Sequence, residues 1–336
     1  MKLSAKKLKD KLTTRIVGDL QSGWVDGVSV SVSQRGNLLF ENHFGNVSGK
    51  SLFRLASMTK PITAAAILLL AERGALRLSD PVIRFLPGQD PRLQICHLLT
   101  HTSGISQADY VANITPQIRG DSELMLDYIA SVPLLHEPGT HPEYNPLAAF
   151  ALLTAVGERA SSMDFASFLE KEILSPCQME ETTFLPTKQQ WGRLALMADT
   201  LPGCVFEGYP VTNPLGGAGL VSSLEDYKKF AQMLLQKGSI HGKQLLKEET
   251  VAAMATPQVP ESVQPGAWRW GYGVRVITGK DRLPQGAFGW SGAYGTHFWV
   301  DPANEIIAIY LKNSRNDGGS NAVTARHFEE DVYGSL

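Results

Sequence analysis

What this chain lacks narrows its class before any motif is read. Cysteine is scarce: Cys96, Cys177 and Cys204 are odd in number and widely spaced, with neither a Cys-x-x-Cys pair nor a matching histidine spacing. That pattern excludes a disulfide framework and an ordinary zinc site, and predicts three buried thiols. Excess charge is also missing. Thirty-one Lys and Arg against 33 Asp and Glu leave a net charge of −2, with no basic stripe and no interleaved aromatics, so neither nucleic acid nor an anionic membrane surface is an expected partner. The longest apolar run, Ala64 to Ala71, is far short of the roughly 20 residues that cross a bilayer. Met1-Lys2-Leu3-Ser4-Ala5-Lys6-Lys7 leads into further charge where a secretory signal would have an apolar core, which predicts a cytoplasmic location.

Several familiar catalytic signatures are absent as well. His-Glu-x-x-His and Gly-x-Ser-x-Gly do not occur, which argues against a zinc-protease helix and a nucleophile elbow. Gly45 to Ser51 is one residue short of a phosphate loop and follows a hairpin strand, and Gly217-Ala218-Gly219 lacks the third glycine of a dinucleotide fingerprint. Neither a cofactor nor a metal is expected. Glu329 and Glu330, adjacent on a C-terminal helix, are expected on a solvated face.

What is present is an ordinary globular composition, 43% hydrophobic and 19% charged over 336 residues, enough for one large domain or two smaller ones. Lys2 to Leu20 has helical periodicity, and Val28 to Ser33 alternates as a half-buried strand does. Gln34 to Asn37 turns the chain into a returning strand, Leu38 to Phe44. Strand character comes back only in Gly271 to Ile277, Thr296 to Val300 and Ile306 to Leu311, with Asp301 to Asn304 as a turn, before a last helix over Asn321 to Tyr333. The expected fold is α+β: an antiparallel sheet built from both termini and flanked by helices, with a mostly helical region inserted. The expected division is residues 1–75 with 265–336 as the sheet domain and 76–264 as the helical one, with the site at their junction.

The chemistry concentrates in Ser57-Met58-Thr59-Lys60, placed at the start of a helix that is apolar on nearly every side, Ile62 to Glu72, with Pro61 in its first turn and Gly74 as its stop. Side chains three apart on a helix share a face, with Cβ atoms roughly 5 to 6 Å apart, so a serine hydroxyl and a lysine amine converge there. A second Ser-x-x-Lys, Ser4 to Lys7, has no apolar helix behind it and is set aside. Acyl transfer also needs oxyanion donors and a further proton carrier. Tyr144, at a loop-to-helix junction, is the candidate carrier. A lysine charge about 4 Å away would lower its phenol by about three pK units, at roughly 4 kcal/mol for an effective dielectric of 20. Its anion could then serve as base at mildly alkaline pH; whether Lys60 or Tyr144 takes the proton stays open. Gly289 to Thr296 runs into the strand Phe298-Trp299-Val300, and its glycines let backbone approach a ligand. The N–H groups of Ser57 and Ala293 form the expected oxyanion pair.

In this order, the three elements resemble the serine hydrolases of the penicillin-binding-protein and class C β-lactamase superfamily, and within it the family VIII carboxylesterases, whose third motif begins with Trp. The similarity extends through Leu55 to Pro61, His97 to Gly104, Gly217 to Ser223, Trp290 to Thr296 and the Asp301-Pro302 turn. The resemblance implies a β-lactamase-like fold, with Ser57 as acylated nucleophile, Lys60 as its proton partner and Tyr144 as the base that later activates water. It assigns no chemistry to His97 or His101. Expected substrate contacts are Trp290, Ser291, Gly292, Tyr294 and Asn145, with further lining from the Ser106 to Pro133 region. Proline at 146 removes an amide that would hold a peptide-like carbonyl, and Trp290 stands where relatives place a cation. A small uncharged ester is therefore the expected partner. The alternatives are a β-lactamase or D-amino-acid peptidase, an acyltransferase, and a catalytically silent ligand-binding protein.

Overall fold

A computed structural model describes residues 2–195, 204–206, 209–210 and 213–335, with the side chains at 204, 205, 209, 210 and 321 outside that description. The alternating segment forms strand β1 (Gly27–Gln34), which turns into β2 (Asn37–Gly45). Late in the chain come β3 (Trp268–Trp270), β4 (Arg275–Ile277), β5 (Phe288–Ser291), β6 (His297–Asp301) and β7 (Ile306–Leu311). These make a seven-stranded antiparallel sheet in the order β2-β1-β7-β6-β5-β4-β3. The strands β1 and β7, from opposite ends of the chain, pair inside it, Val30 opposite Tyr310 and Ser33 opposite Ile307. The β6–β7 turn is tied by Asn304, whose Nδ2 donates to Asp301 Oδ2 at 2.7 Å.

Helices cover both faces of the sheet. On one, Val28, Val30, Val32, Trp299 and Tyr310 pack under α1 (Ala5–Gln21) and under the C-terminal helix Val323–Tyr333. On the other, Phe298, Ile309 and Leu311 join the core of the inserted region. The predicted half-buried β1 is consequently buried except at Ser33, Ser31 included at 3% exposure, and the Ser29 hydroxyl meets His43 Nδ1 at 2.8 Å. The Gly271 to Ile277 segment is strand only from Arg275; its first residues close the β3–β4 hairpin, Gly271 N–H donating to Val274 O at 2.9 Å. β3 and β5 were not legible, because three- and four-residue strands carry too little alternation to read.

The inserted region is centred on α2 (Thr59–Glu72), buried from Thr59 to Leu70, with α3 (Ala148–Ser161) packed beside it and α4 (Leu224–Leu235) beneath the sheet. Ser57 precedes this helix instead of opening it. Ala56–Met58 is a single 3-10 turn, and Ala56 sits at φ +45°, a left-handed strain seldom accepted outside functional turns. The discarded Ser4 to Lys7 motif caps a helix: Ser4 Oγ accepts the Lys7 N–H at 3.4 Å, at the start of α1. Of the cysteines, Cys177 is buried and Cys96 only half-buried, while the Cys204 side chain lies outside the described residues. No helix among the described residues is long and apolar enough to cross a membrane.

Candidate active site

Three chain segments converge on Ser57. Lys60 Nζ lies 3.0 Å from Ser57 Oγ, and the Tyr144 hydroxyl donates to the same oxygen at 2.7 Å. Lys60 also donates to Gly217 O at 2.6 Å. That carbonyl is fixed because residues 216 to 220 lie along α2, with Thr63 Oγ1 donating to Gly216 O and Leu220 N–H donating to Thr59 Oγ1. A side chain at 217 would strike Pro146 O at 2.3 Å, so only glycine admits the helix-lining segment this close.

The lysine is fully buried, and burial alone pushes its amine well below the ordinary lysine range. Its nearest aromatic neighbours are Tyr144 and Phe150, with ring centroids 5.3 and 5.2 Å from Nζ. Crowding by protein pushes the Tyr144 phenol in the opposite direction, up to about 12, against the lowering effect of its bonds to Ser57 and Trp290. Because 36% of the tyrosine's surface opens on the cleft, solvent there tempers that rise. The predicted lowering of Tyr144 by a charged Lys60 is not what the folded site shows: burial raises the phenol, and the same burial favours the neutral form of the amine, which weakens the expected pull.

The third segment brings β5 against the serine turn. Thr296 Oγ1 donates to Leu55 O at 2.9 Å, and a Cβ at Gly292 would stand 2.3 Å from that same carbonyl. Past Gly292, the Ala293 N–H donates to no described residue, and neither does the Ser57 N–H. Both residues line one cavity of about 770 Å³. Trp290 Nε1 donates to the Tyr144 hydroxyl at 3.3 Å.

Of the expected substrate contacts, Trp290 and Ser291 line this cavity, and three others do not. Asn145 is fully buried, its Nδ2 donating to Ile105 O and its Oδ1 accepting the Ala148 N–H that opens α3. Tyr294 is buried against Phe206 and under the Arg315 guanidinium. Gly292 is spent on the approach to Leu55. The Ser106 to Pro133 region contributes nothing to the lining among the described residues; it folds as the helices Gln107–Asn113, Pro116–Gly120 and Ser122–Ser131.

Sequence reading missed Trp268 and Trp270, although two tryptophans two residues apart on a strand share a face. Trp270 stacks on Tyr144 at 5.9 Å and 8°, and meets Trp290 at 4.6 Å. His101, to which the resemblance assigned no chemistry, is fully buried, 4.6 Å from the Tyr144 ring and 4.4 Å from Trp270. Burial first and the neighbouring Lys60 second push that imidazole well below its usual range, so it packs as a neutral ring behind the tyrosine. Glu329 overturns the solvated-face expectation, for it is 2% exposed and lines the cavity. Arg275 Nη2 and Arg282 Nε donate to it at 2.8 and 2.9 Å, and His297 Nε2 lies 3.2 Å away. Burial pushes its carboxyl up, but His297 and the two guanidinium groups outweigh that and bring it to about 2. Glu330, its neighbour, is exposed as expected.

A sheet closed by both termini, a buried helix beside it and a serine at their junction define a serine hydrolase of β-lactamase-like fold. The chain belongs to the Beta-lactamase family, whose model matches residues 12–330. Protein Rv1367c of Mycobacterium tuberculosis is 30% identical over 349 residues, covering 86% of each chain. Esterase EstB of Burkholderia gladioli is 28% identical over 357 residues, 89% of this chain and 88% of that one. The solved structure of EstCE1, described as a hydrolase with promiscuous acyltransferase activity, shares the fold at TM-score 0.82 and 23% identity, covering 98% of this chain and 99% of that one.

Proposed function

We propose that the protein hydrolyses small carboxylic esters through an acyl-enzyme on Ser57, with Lys60 and Tyr144 as paired proton carriers. The observation that carries this reading is that Ser57 Oγ sits within hydrogen-bonding distance of a buried amine and a phenol at once. A neutral Lys60 uses one N–H on Gly217 O and turns its lone pair to the serine proton. Ser57 Oγ attacks the ester carbon, its proton passes to Lys60, and the carbonyl oxygen takes the negative charge toward the Ser57 and Ala293 N–H groups. The ester C–O bond then breaks, and Tyr144 gives its proton to the departing alcohol oxygen.

This leaves an ammonium beside a phenolate, each stabilising the other. Water then attacks the acyl carbon and gives its proton to Tyr144, while Lys60 returns a proton to Ser57 Oγ as the acid departs. Both carriers end as they began. An ester is favoured over a peptide-like amide because the Asn145 side chain is spent within the protein and residue 146 is proline. Localisation in the cytoplasm, and freedom from nucleic acid and membrane partners, remain part of this proposal. The test is turnover of a short-chain nitrophenyl ester by Ser57→Ala: a loss of about four orders of magnitude or more in kcat is expected, and near-native turnover would refute the reading.

A further inference from the structure

The cavity over Ser57 does not end at its tryptophans. Beyond Trp268, Trp270 and Trp290 the lining becomes basic: Arg275, Arg282 and Arg326 face it, and Glu329 is the one carboxylate among the described lining residues. Glu329 receives one N–H from Arg275 and one from Arg282. A guanidinium has five N–H donors, so most of theirs stay unspent. Arg326 lines the cavity from the C-terminal helix and makes no ion pair among the described residues. Three guanidinium groups and one carboxylate therefore line the cavity, with Asp281 and Glu330 near Arg282 outside the lining, an arrangement that leaves room for a second anion.

The position of this pole relative to the reacting bond follows from the sheet. Tyr144, the proton donor to the departing alcohol, stacks on Trp270, and Trp270 stands opposite Arg275 in the β3–β4 register. Arg275 in turn stands opposite Gly289, one residue before Trp290. Tyr144, the tryptophans and the arginines line one cavity, so a leaving alcohol next to Tyr144 has a path to the arginines within it.

We propose that the site selects esters whose alcohol part is flat, apolar and ended by a carboxylate, with the ring against the half-buried Trp268 and Trp290 and the carboxylate on Arg275, Arg282 and Arg326. This deepens the ester-cleaving reading and rests on it. It also replaces the uncharged ester expected from the third motif, since the cations come from β4, from the β4–β5 loop and from the C-terminal helix.

The experiment compares 4-acetoxybenzoate with its neutral methyl ester, each kcat/KM divided by the ester's rate with hydroxide. The native protein is expected to favour the anionic ester about tenfold or more, with the preference falling as salt is added. Arg326→Gln and Arg282→Gln are each expected to cut the preference several-fold. A native ratio of one or below, or a ratio unmoved in both variants, overturns the proposal. Equilibrium binding of 4-hydroxybenzoate and methyl 4-hydroxybenzoate to the Ser57→Ala protein, followed by tryptophan fluorescence, separates the two readings. If neither ester is cleaved but the acid binds more tightly and loses that advantage in Ser57→Ala with Arg326→Gln, the hydrolase reading fails and the anion pole stands. Equal binding of acid and ester refutes the pole whatever the turnover.

Discussion

Burial favours the uncharged forms of both Lys60 and Tyr144, fully for the enclosed amine and in part for the half-open phenol. The sign of the pH dependence follows. The amine works as a base only when neutral, so kcat/KM rises with pH through a Lys60 value displaced well below 10.5 and then stays level until the phenol ionises toward about 12. The sequence suggested the same alkaline rise but attached it to Tyr144. The two assignments part in Tyr144→Phe: kcat is expected to fall about 10²- to 10⁴-fold, while the rising limb of kcat/KM keeps its position. A limb that moves or vanishes in a pH–rate profile of that variant would return the titration to the tyrosine. The residues of the site were legible because Ser57 and Lys60 are local partners on one turn. The weakening of the Lys60–Tyr144 coupling was not, because burial is a property of the folded surroundings and of no single residue.

At the scale of elements, the site depends on how closely β5 lies on the Ala56–Met58 turn. Gly292 sets that distance, since an added Cβ would press on Leu55 O and Thr296 Oγ1 together. Gly292→Ala is expected to push Ala293 outward, costing about 10²-fold in kcat through the weakened oxyanion site and roughly 1 to 3 kcal/mol in stability through overpacking. Urea unfolding and steady-state kinetics on the same sample check both; native values of each would show that β5 does not set the oxyanion geometry. Long elements with strong periodicity, α1, α2, β1, β2 and β7, could be read from sequence within a few residues. β3 and β5 could not, and with them went Trp268 and Trp270, which form much of the cavity wall. Asn145 was placed on the substrate for a related reason: beside the candidate proton carrier Tyr144 it looks like a ligand contact, but its amide bonds hold the start of α3.

For the whole molecule, Glu329 links the C-terminal helix to the sheet edge through Arg275, Arg282 and His297. A carboxyl held at about 2 when its ordinary value is 4.5 contributes stability that is present above pH 4.5 and lost as pH falls toward 2. Glu329→Gln is expected to lose roughly 2 to 4 kcal/mol at neutral pH, less than a fully buried pair would because Arg282 is open to water. Thermal unfolding of the variant should depend less on pH between 4.5 and 2 than that of the native protein; equal slopes would place the acid sensitivity elsewhere. Two adjacent glutamates gave no hint of this, because which one faces inward is decided by residues 54 and 47 positions away, Arg275 on β4 and Arg282 in the loop after it. The proposed function predicts one covalent event, which mass spectrometry of the intact protein would observe. After brief exposure to a nitrophenyl ester and an acid quench, the native protein should gain one acyl group, located by digestion to the peptide containing Ser57, and Ser57→Ala should gain none. Ester turnover accompanied by an acyl group on a different residue, or by the same mass gain in Ser57→Ala, would contradict it.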